Sequence, residues 1–170
     1  VRAEIVRLAH RHDAIIVTDE VYEHLVFDGR RHVPIATLPG AAERTISISS
    51  AGKTFSVTGW KIGWATGPAS LIDAVLTIKQ FVTYVNGAPF QPAVAAGLRL
   101  DDAFFAGVGA ALQRKRDMLR EGLSAAGFVP FRAGGSYFTV ADAAPLGVSD
   151  AHEFCRRLPH EAGVVAIPLT

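Results

Sequence analysis

The chain has 170 residues, 17 Lys+Arg against 16 Asp+Glu for a formal net charge of +1, 49% hydrophobic residues and 19% charged ones. That length suits one compact domain or one and part of another. The composition excludes a disordered chain, which needs low hydrophobicity and high net charge, and argues against a nucleic-acid module, which carries a large basic excess.

A single cysteine, Cys155, excludes an intrachain disulfide framework and a multi-cysteine zinc site. A reduced, cytoplasmic setting is the natural expectation. No run of about 18 apolar residues is present, so no membrane-spanning helix is expected. The chain opens on Val1 and closes on the apolar run Val164 to Leu169. Both ends read as cut, and a segment of a longer protein is expected.

Residues 1–12 carry Ile5, Leu8 and Ala9 at helical spacing. Ala14 to Thr18 is short, apolar and β-branched, and reads as a buried parallel strand with both faces covered. Asp19-Glu20 ends it, and a turn or short helix follows through Leu25. Thr45 to Ser49 alternates with period two, a second strand. Ser50 to Trp60 reads as a polar loop, and Lys61 to Thr66 as a third strand closed by Gly67-Pro68.

Helices are predicted over 69–85, from Pro89 and Pro92 to near Leu100, over 102–126, and over 150–158. Strands are predicted at 128–132, 136–141 and 164–168. The interleaving of strands and helices indicates an α/β fold up to residue 100, and the mixed pattern beyond 101 a separate α+β unit.

The most informative stretch is Ser49-Ser50-Ala51-Gly52-Lys53-Thr54-Phe55-Ser56. Gly52-Lys53-Thr54 ends like a phosphate-binding P-loop, but that pattern needs glycine where Ser47 stands. A lysine flanked by Ser, Thr and Gly also suits a Schiff-base lysine, whose amine condenses with an aldehyde cofactor. Ser50 and Lys61 could then anchor a phosphate. Asp19 ends a strand, where ligands bind in open α/β sheets. A carboxylate there can keep a pyridine nitrogen protonated and make the ring an electron sink. Tyr22 can hydrogen-bond the ring's phenolic oxygen.

Thr18-Asp19-Glu20-Val21-Tyr22-Glu23, followed by Ser50-Ala51-Gly52-Lys53-Thr54-Phe55-Ser56-Val57-Thr58-Gly59-Trp60-Lys61-Ile62-Gly63-Trp64, closely resembles the class I/II aminotransferases, pyridoxal-phosphate enzymes of fold type I. The 34 residues from Asp19 to Lys53 fit the same family. Gly135-Ser136-Tyr137-Phe138 and Val165-Ala166-Ile167-Pro168 extend the resemblance along the whole chain. The pattern is most similar to the branch of kynurenine, glutamine and methionine aminotransferases, and to enzymes acting on N-succinyldiaminopimelate. Tyr84 to Pro89 and Phe90-Gln91-Pro92 lean towards the latter.

The resemblance implies a fragment comprising the later part of a mixed-sheet large domain (residues 1–100) and most of a small domain (101–170). It implies pyridoxal 5'-phosphate as cofactor, with Lys53 as the Schiff-base lysine and proton-transfer base. Asp19 would pair with the pyridinium and Tyr22 with the ring oxygen, and Ser50 and Lys61 would hold the phosphate. Tyr84 would reach the active site of a partner subunit. The implied reaction moves an amino group from an amino acid to a 2-oxo acid in a homodimer, with no role for nucleic acid, membrane or metal. Two alternatives share the motif: a pyridoxal-phosphate C–S β-lyase, and a non-catalytic aminotransferase-like regulatory domain.

Other residues carry plainer expectations. Phe55, Trp60 and Trp64 read as packing. Arg114-Lys115-Arg116 with Arg120 reads as a solvated helix face. His10 and His12, two apart on a helix, cannot share a face, so they make no metal site.

Overall fold

The computed structural model describes residues 1–169. It contains two compact units, Val1–Ala111 and one from Leu112 onward. Helix α5 (Asp102–Ala125) contains the point of division.

The first unit is built on a three-stranded sheet of β1 (Ile16–Asp19), β2 (Thr45–Ser50) and β3 (Gly63–Thr66), in that spatial order. β1 runs parallel to β2, with Asp19 level with Ile48. β3 returns antiparallel, with Gly63 opposite Ser50. The long excursion between β1 and β2 is what a parallel pair requires.

Helix α1 (Arg2–Arg11) precedes β1 and covers one face of the strand. Val6 and Ala9, one turn apart, bury with Ile16 and Ala41, and Ile35 and Leu38 pack around them. Of the expected stripe Ile5, Leu8 and Ala9, Ala9 is buried, but Val6 completes the buried side while Ile5 and Leu8 stay exposed. The end of α1 leaves carbonyls without intrahelical donors. Arg44 supplies one, its guanidinium donating to Ala9 O (3.4 Å) and Ala14 O (2.9 Å), the second two residues before β1.

β1 differs from the sequence expectation. Ile16 is buried, but Val17 is 61% exposed and Ile15 56%. α1 covers one face, and no element among the described residues covers the other. Beyond β1 the chain turns through Tyr22 and plants Leu25 and Phe27, both fully enclosed.

The expected loop over Ser50 to Trp60 also differs. It holds a short helix, α2 (Ala51–Thr54), and a 3-10 turn, Thr58–Trp60. Ala51 and Thr54 are buried, which fixes that helix to the sheet. α3 (Ala69–Val82) and α4 (Gln91–Gly97) follow β3. Ala51, Ile62 and Val94 form a second core with Phe55, Val57, Trp60 and Trp64, so the aromatic residues pack as expected. Trp60 stacks on Phe90 with ring centroids 4.7 Å apart.

The second unit continues α5 and adds β4 (Val129–Pro130), β5 (Ala141–Asp142) and α6 (Ala151–Glu161). Both strands are shorter than expected. Ser136 takes a left-handed φ of +67°, and its hydroxyl accepts from Phe138 N–H at 3.0 Å, which replaces ladder pairing with a local turn. The strand expected over 164–168 does not form, because those residues have no ladder partner among the described ones.

Nor is the basic cluster on α5 a uniformly solvated face. Arg116 is only 5% exposed. Its guanidinium donates to Ala133 O (2.7 Å) and to Asp117 (2.9 Å), tying the chain before Gly134-Gly135 to the helix.

Asp150 caps α6, its carboxylate accepting from the N–H groups of His152 (2.8 Å) and Glu153 (3.0 Å). The bond from Glu153 N–H, then that from His152, holds the carboxyl below its ordinary value. A lowered native value contributes stability above the ordinary carboxylate range, and that stability is lost as the pH falls through the native value. Asp150→Asn is expected to keep the cap while flattening the acid limb of helicity followed by circular dichroism. An unchanged acid limb would refute the assignment.

Candidate active site

The sheet topology gathers the chemistry-bearing residues at one edge. β1 and β2 are parallel, so Asp19 and Ser50, their last residues, leave the sheet at the same end. β3 is antiparallel and begins opposite Ser50, so Lys61, two residues before Gly63, belongs to that end too. Lys53 lies three residues past the end of β2, on α2. Tyr22 lies three residues past the end of β1. Five of the six candidate residues thus stand at one sheet edge.

Side-chain alternation and the parallel register place Asp19 and Ser50 on one face, with Val17 and Ile48. Ser50 is two residues beyond Asp19's partner, Ile48, a rise of roughly 7 Å at about 3.3 Å per residue. The other face carries hydroxyls. Thr18 Oγ1 and Ser47 Oγ are 3.4 Å apart, and Ser49 follows Ser47 on the same side.

Local structure explains how each group is held. Glu20 N–H donates to Ile48 O at 2.7 Å, carrying the pairing one residue past β1. Asp19 is exposed and accepts from Val21 N–H at 3.1 Å, an Asx turn that redirects the chain towards Tyr22. That turn closes through Glu23 N–H to Glu20 O (2.8 Å) and Leu25 N–H to Tyr22 O (2.9 Å). Ser50 is the residue before α2, yet its hydroxyl makes no capping bond to that helix. Ala51 N–H donates to Ile62 O at 3.0 Å, binding the start of α2 to the chain just past Lys61.

Sequence reasoning overlooked the two glutamates that brace the Tyr22 turn. Glu23 accepts a 2.7 Å bond from the hydroxyl of buried Ser49. Glu20, 8% exposed, has Oε2 2.7 Å from His32 Nε2, an ion pair when the imidazole is protonated. Both glutamates stand in the motif around Tyr22. The period-two alternation of β2, which puts Ser49 on the side opposite Ser50, was the available signal for the first.

Tyr84 stands apart from the cluster. It lies on the loop after α3, 76% exposed, with φ +52°. Its N–H donates to Lys79 O, and Lys79 Nζ donates to its carbonyl, both at 3.1 Å. Among the described residues no group of three or more His, Cys, Asp or Glu is placed to hold a metal ion, and no helix is long and apolar enough to cross a membrane.

The donor set fits an anionic pyridine cofactor: a carboxylate, a phenol, an amine, and a hydroxyl beside a second amine. Glycine at 52 lets α2 seat close on the Thr58 turn, since a Cβ there would lie 3.3 Å from Thr58 Cα.

Residues 2–170 match the model of the aminotransferase class I and II family, and the chain belongs to that family, whose members use pyridoxal phosphate. Among curated proteins, a probable N-succinyldiaminopimelate aminotransferase of Mycobacterium tuberculosis is 52% identical over 168 residues, 99% of this chain and 42% of that protein. Kynurenine–oxoglutarate transaminase 3 of Mus musculus is 41% identical, over 98% of this chain and 40% of its own length. The solved structure of N-succinyldiaminopimelate aminotransferase from M. tuberculosis superposes with a TM-score of 0.95 at 53% identity, over 98% of this chain and 44% of that one. An Escherichia coli structure described as having a methionine aminotransferase function gives 0.92 at 32% identity, over 98% of this chain and 44% of that one. The chain therefore has the α/β fold of type I aminotransferases and spans about two-fifths of the length of these relatives.

Gly63 is tightly seated at this edge, since a Cβ there would lie 2.9 Å from Ser49 O, a backbone atom. Gly63→Ala is expected to push β3 off β2 beside Ser50 and to lower stability by about 1–3 kcal/mol, read from the urea midpoint. An unshifted midpoint would contradict the close approach.

Proposed function

We propose that this chain carries the cofactor-anchoring lysine of a pyridoxal-phosphate aminotransferase, which transfers an amino group from an amino acid to a 2-oxo acid. The convergence of Asp19, Tyr22, Ser50, Lys53 and Lys61 on one sheet edge, in the order of the family motif, carries this reading. In it, residues 1–100 are the later part of the large domain and 101–170 most of the small one.

Lys53 holds the cofactor's aldehyde covalently. Asp19, at the carboxyl end of β1, pairs with the ring nitrogen and keeps it protonated. The Tyr22 hydroxyl meets the ring oxygen, and Ser50 and Lys61 take the phosphate, whose negative charge suits an ammonium and a hydroxyl donor. The bound cofactor supplies an electron sink for negative charge developing at the substrate's Cα. The Lys53 amine would also serve as the base for the substrate's Cα proton, a role that needs a neutral amine within reach of that carbon. Tyr84 is the residue offered to a partner subunit in a cytoplasmic homodimer. The exposed apolar residues Leu76, Ile78, Phe81 and Val82 on α3 support such a partner. The relatives' names make N-succinyldiaminopimelate-type donors, kynurenine and methionine the first substrates to assay.

Lys53→Ala is expected to abolish the near-visible absorbance that pyridoxal phosphate acquires on the protein, and to lower turnover by at least roughly 100-fold. Persistence of that band in Lys53→Ala, with its loss in Lys61→Ala, would contradict the assignment.

A further inference from the structure

The geometry points to Asn86 as a positioning residue for Lys61: its amide fixes the backbone of the phosphate-side lysine without itself reaching the cofactor. This rests on the reading of Lys61 given above.

Lys61 adopts φ +55° and ψ +40°, directly after the 3-10 turn Thr58–Trp60. A non-glycine residue in this left-handed region is strained and persists where its surroundings over-determine it. Here the surroundings are identifiable. Asn86 Nδ2 donates to the carbonyl oxygen of Lys61 itself, 25 residues away in sequence. Gln91, the first residue of α4, donates from Nε2 to the Asn86 carbonyl at 3.1 Å. The relay thus runs from a helix end, through one amide, to the strained lysine.

The residue after Asn86 closes the grip. Gly87 has φ +54°, and a Cβ there would stand 2.2 Å from Ile62 Cδ1 and 3.1 Å from Trp60 O. Residues 86–91 therefore seat closely against 60–62, and a side chain at 87 would have to displace the Ile62 terminus and crowd Trp60 O. Ile62 O in turn accepts from Ala51 N–H, next to Ser50. Letting the Lys61 peptide relax would shift both residues assigned to the phosphate and leave Asp19 and Tyr22 on their own turn.

Asn86 is exposed and lines, with Lys61 and Gln91, a cavity of about 330 Å³, so replacing it alters the wall of an existing space.

The test is the preference for pyridoxal 5'-phosphate over pyridoxal, which lacks the phosphate, from dissociation constants measured by absorbance. Asn86→Asp keeps the side chain's shape but places an acceptor where a donor is needed. It is expected to weaken pyridoxal-phosphate binding about three- to tenfold, the range of one lost hydrogen bond, and to leave pyridoxal binding unchanged, with the protein still folded by circular dichroism. Gln91→Ala is expected to act in the same direction with smaller effect. In a Lys61→Ala background, Asn86→Asp should add nothing. Equal weakening of both ligands, or an undiminished preference in Asn86→Asp beside a lost preference in Lys61→Ala, overturns the inference alone. An undiminished preference in both variants overturns the phosphate reading of Lys61 and the inference with it.

Discussion

The parallel register of β1 on β2, with Asp19 level with Ile48, is the constraint on which the rest depends. Side chains alternate along a strand, so a slip of one residue would send Asp19 to the opposite face and separate it from Ser50. Burial pins the register from one side only, through Ile16 packed on Val6 and Ala9. Backbone bonds pin the far end, where Glu20 N–H continues the ladder to Ile48 O. The antiparallel return of β3 brings Lys61 back to the edge that β1 and β2 have just left.

Two buried or half-buried carboxylates then hold the Tyr22 turn. Burying a charge is unfavourable unless it is paired or hydrogen-bonded. Glu23 meets that condition with the Ser49 hydroxyl, and Glu20 meets it when the His32 imidazole beside it is protonated. Enclosed Leu25 and Phe27 anchor the chain immediately beyond. The turn is thus fixed by groups that need not touch a ligand, which leaves the exposed Asp19 available to one.

Much of this was legible in the sequence, for physical reasons that differ by element. β2 announced itself by period-two alternation, and α3 and α5 by apolar residues at helical spacing. That five candidate residues lie beside the strand ends was legible because the motif fixes residue types at fixed distances from those ends. What stayed hidden depends on partners distant in sequence. The exposed face of β1 looked buried because residue type does not reveal what covers it. Val164 to Leu169 looked like a strand because apolarity does not supply a ladder. Arg116 looked solvated because its acceptor, Ala133 O, is a backbone atom with no signature. Asn86 carried no signal either, since its role comes from one carbonyl brought near by folding.

The central claim is that one amine, at position 53, holds the cofactor covalently at the edge where β1 and β2 end. The chain has four lysines, Lys53, Lys61, Lys79 and Lys115. Reducing the protein with borohydride in the presence of pyridoxal phosphate, then mapping its peptides by mass spectrometry, locates the bond. The account predicts the phosphopyridoxyl group on Lys53, at one label per chain. A label on Lys61, or spread evenly among the four, would contradict it.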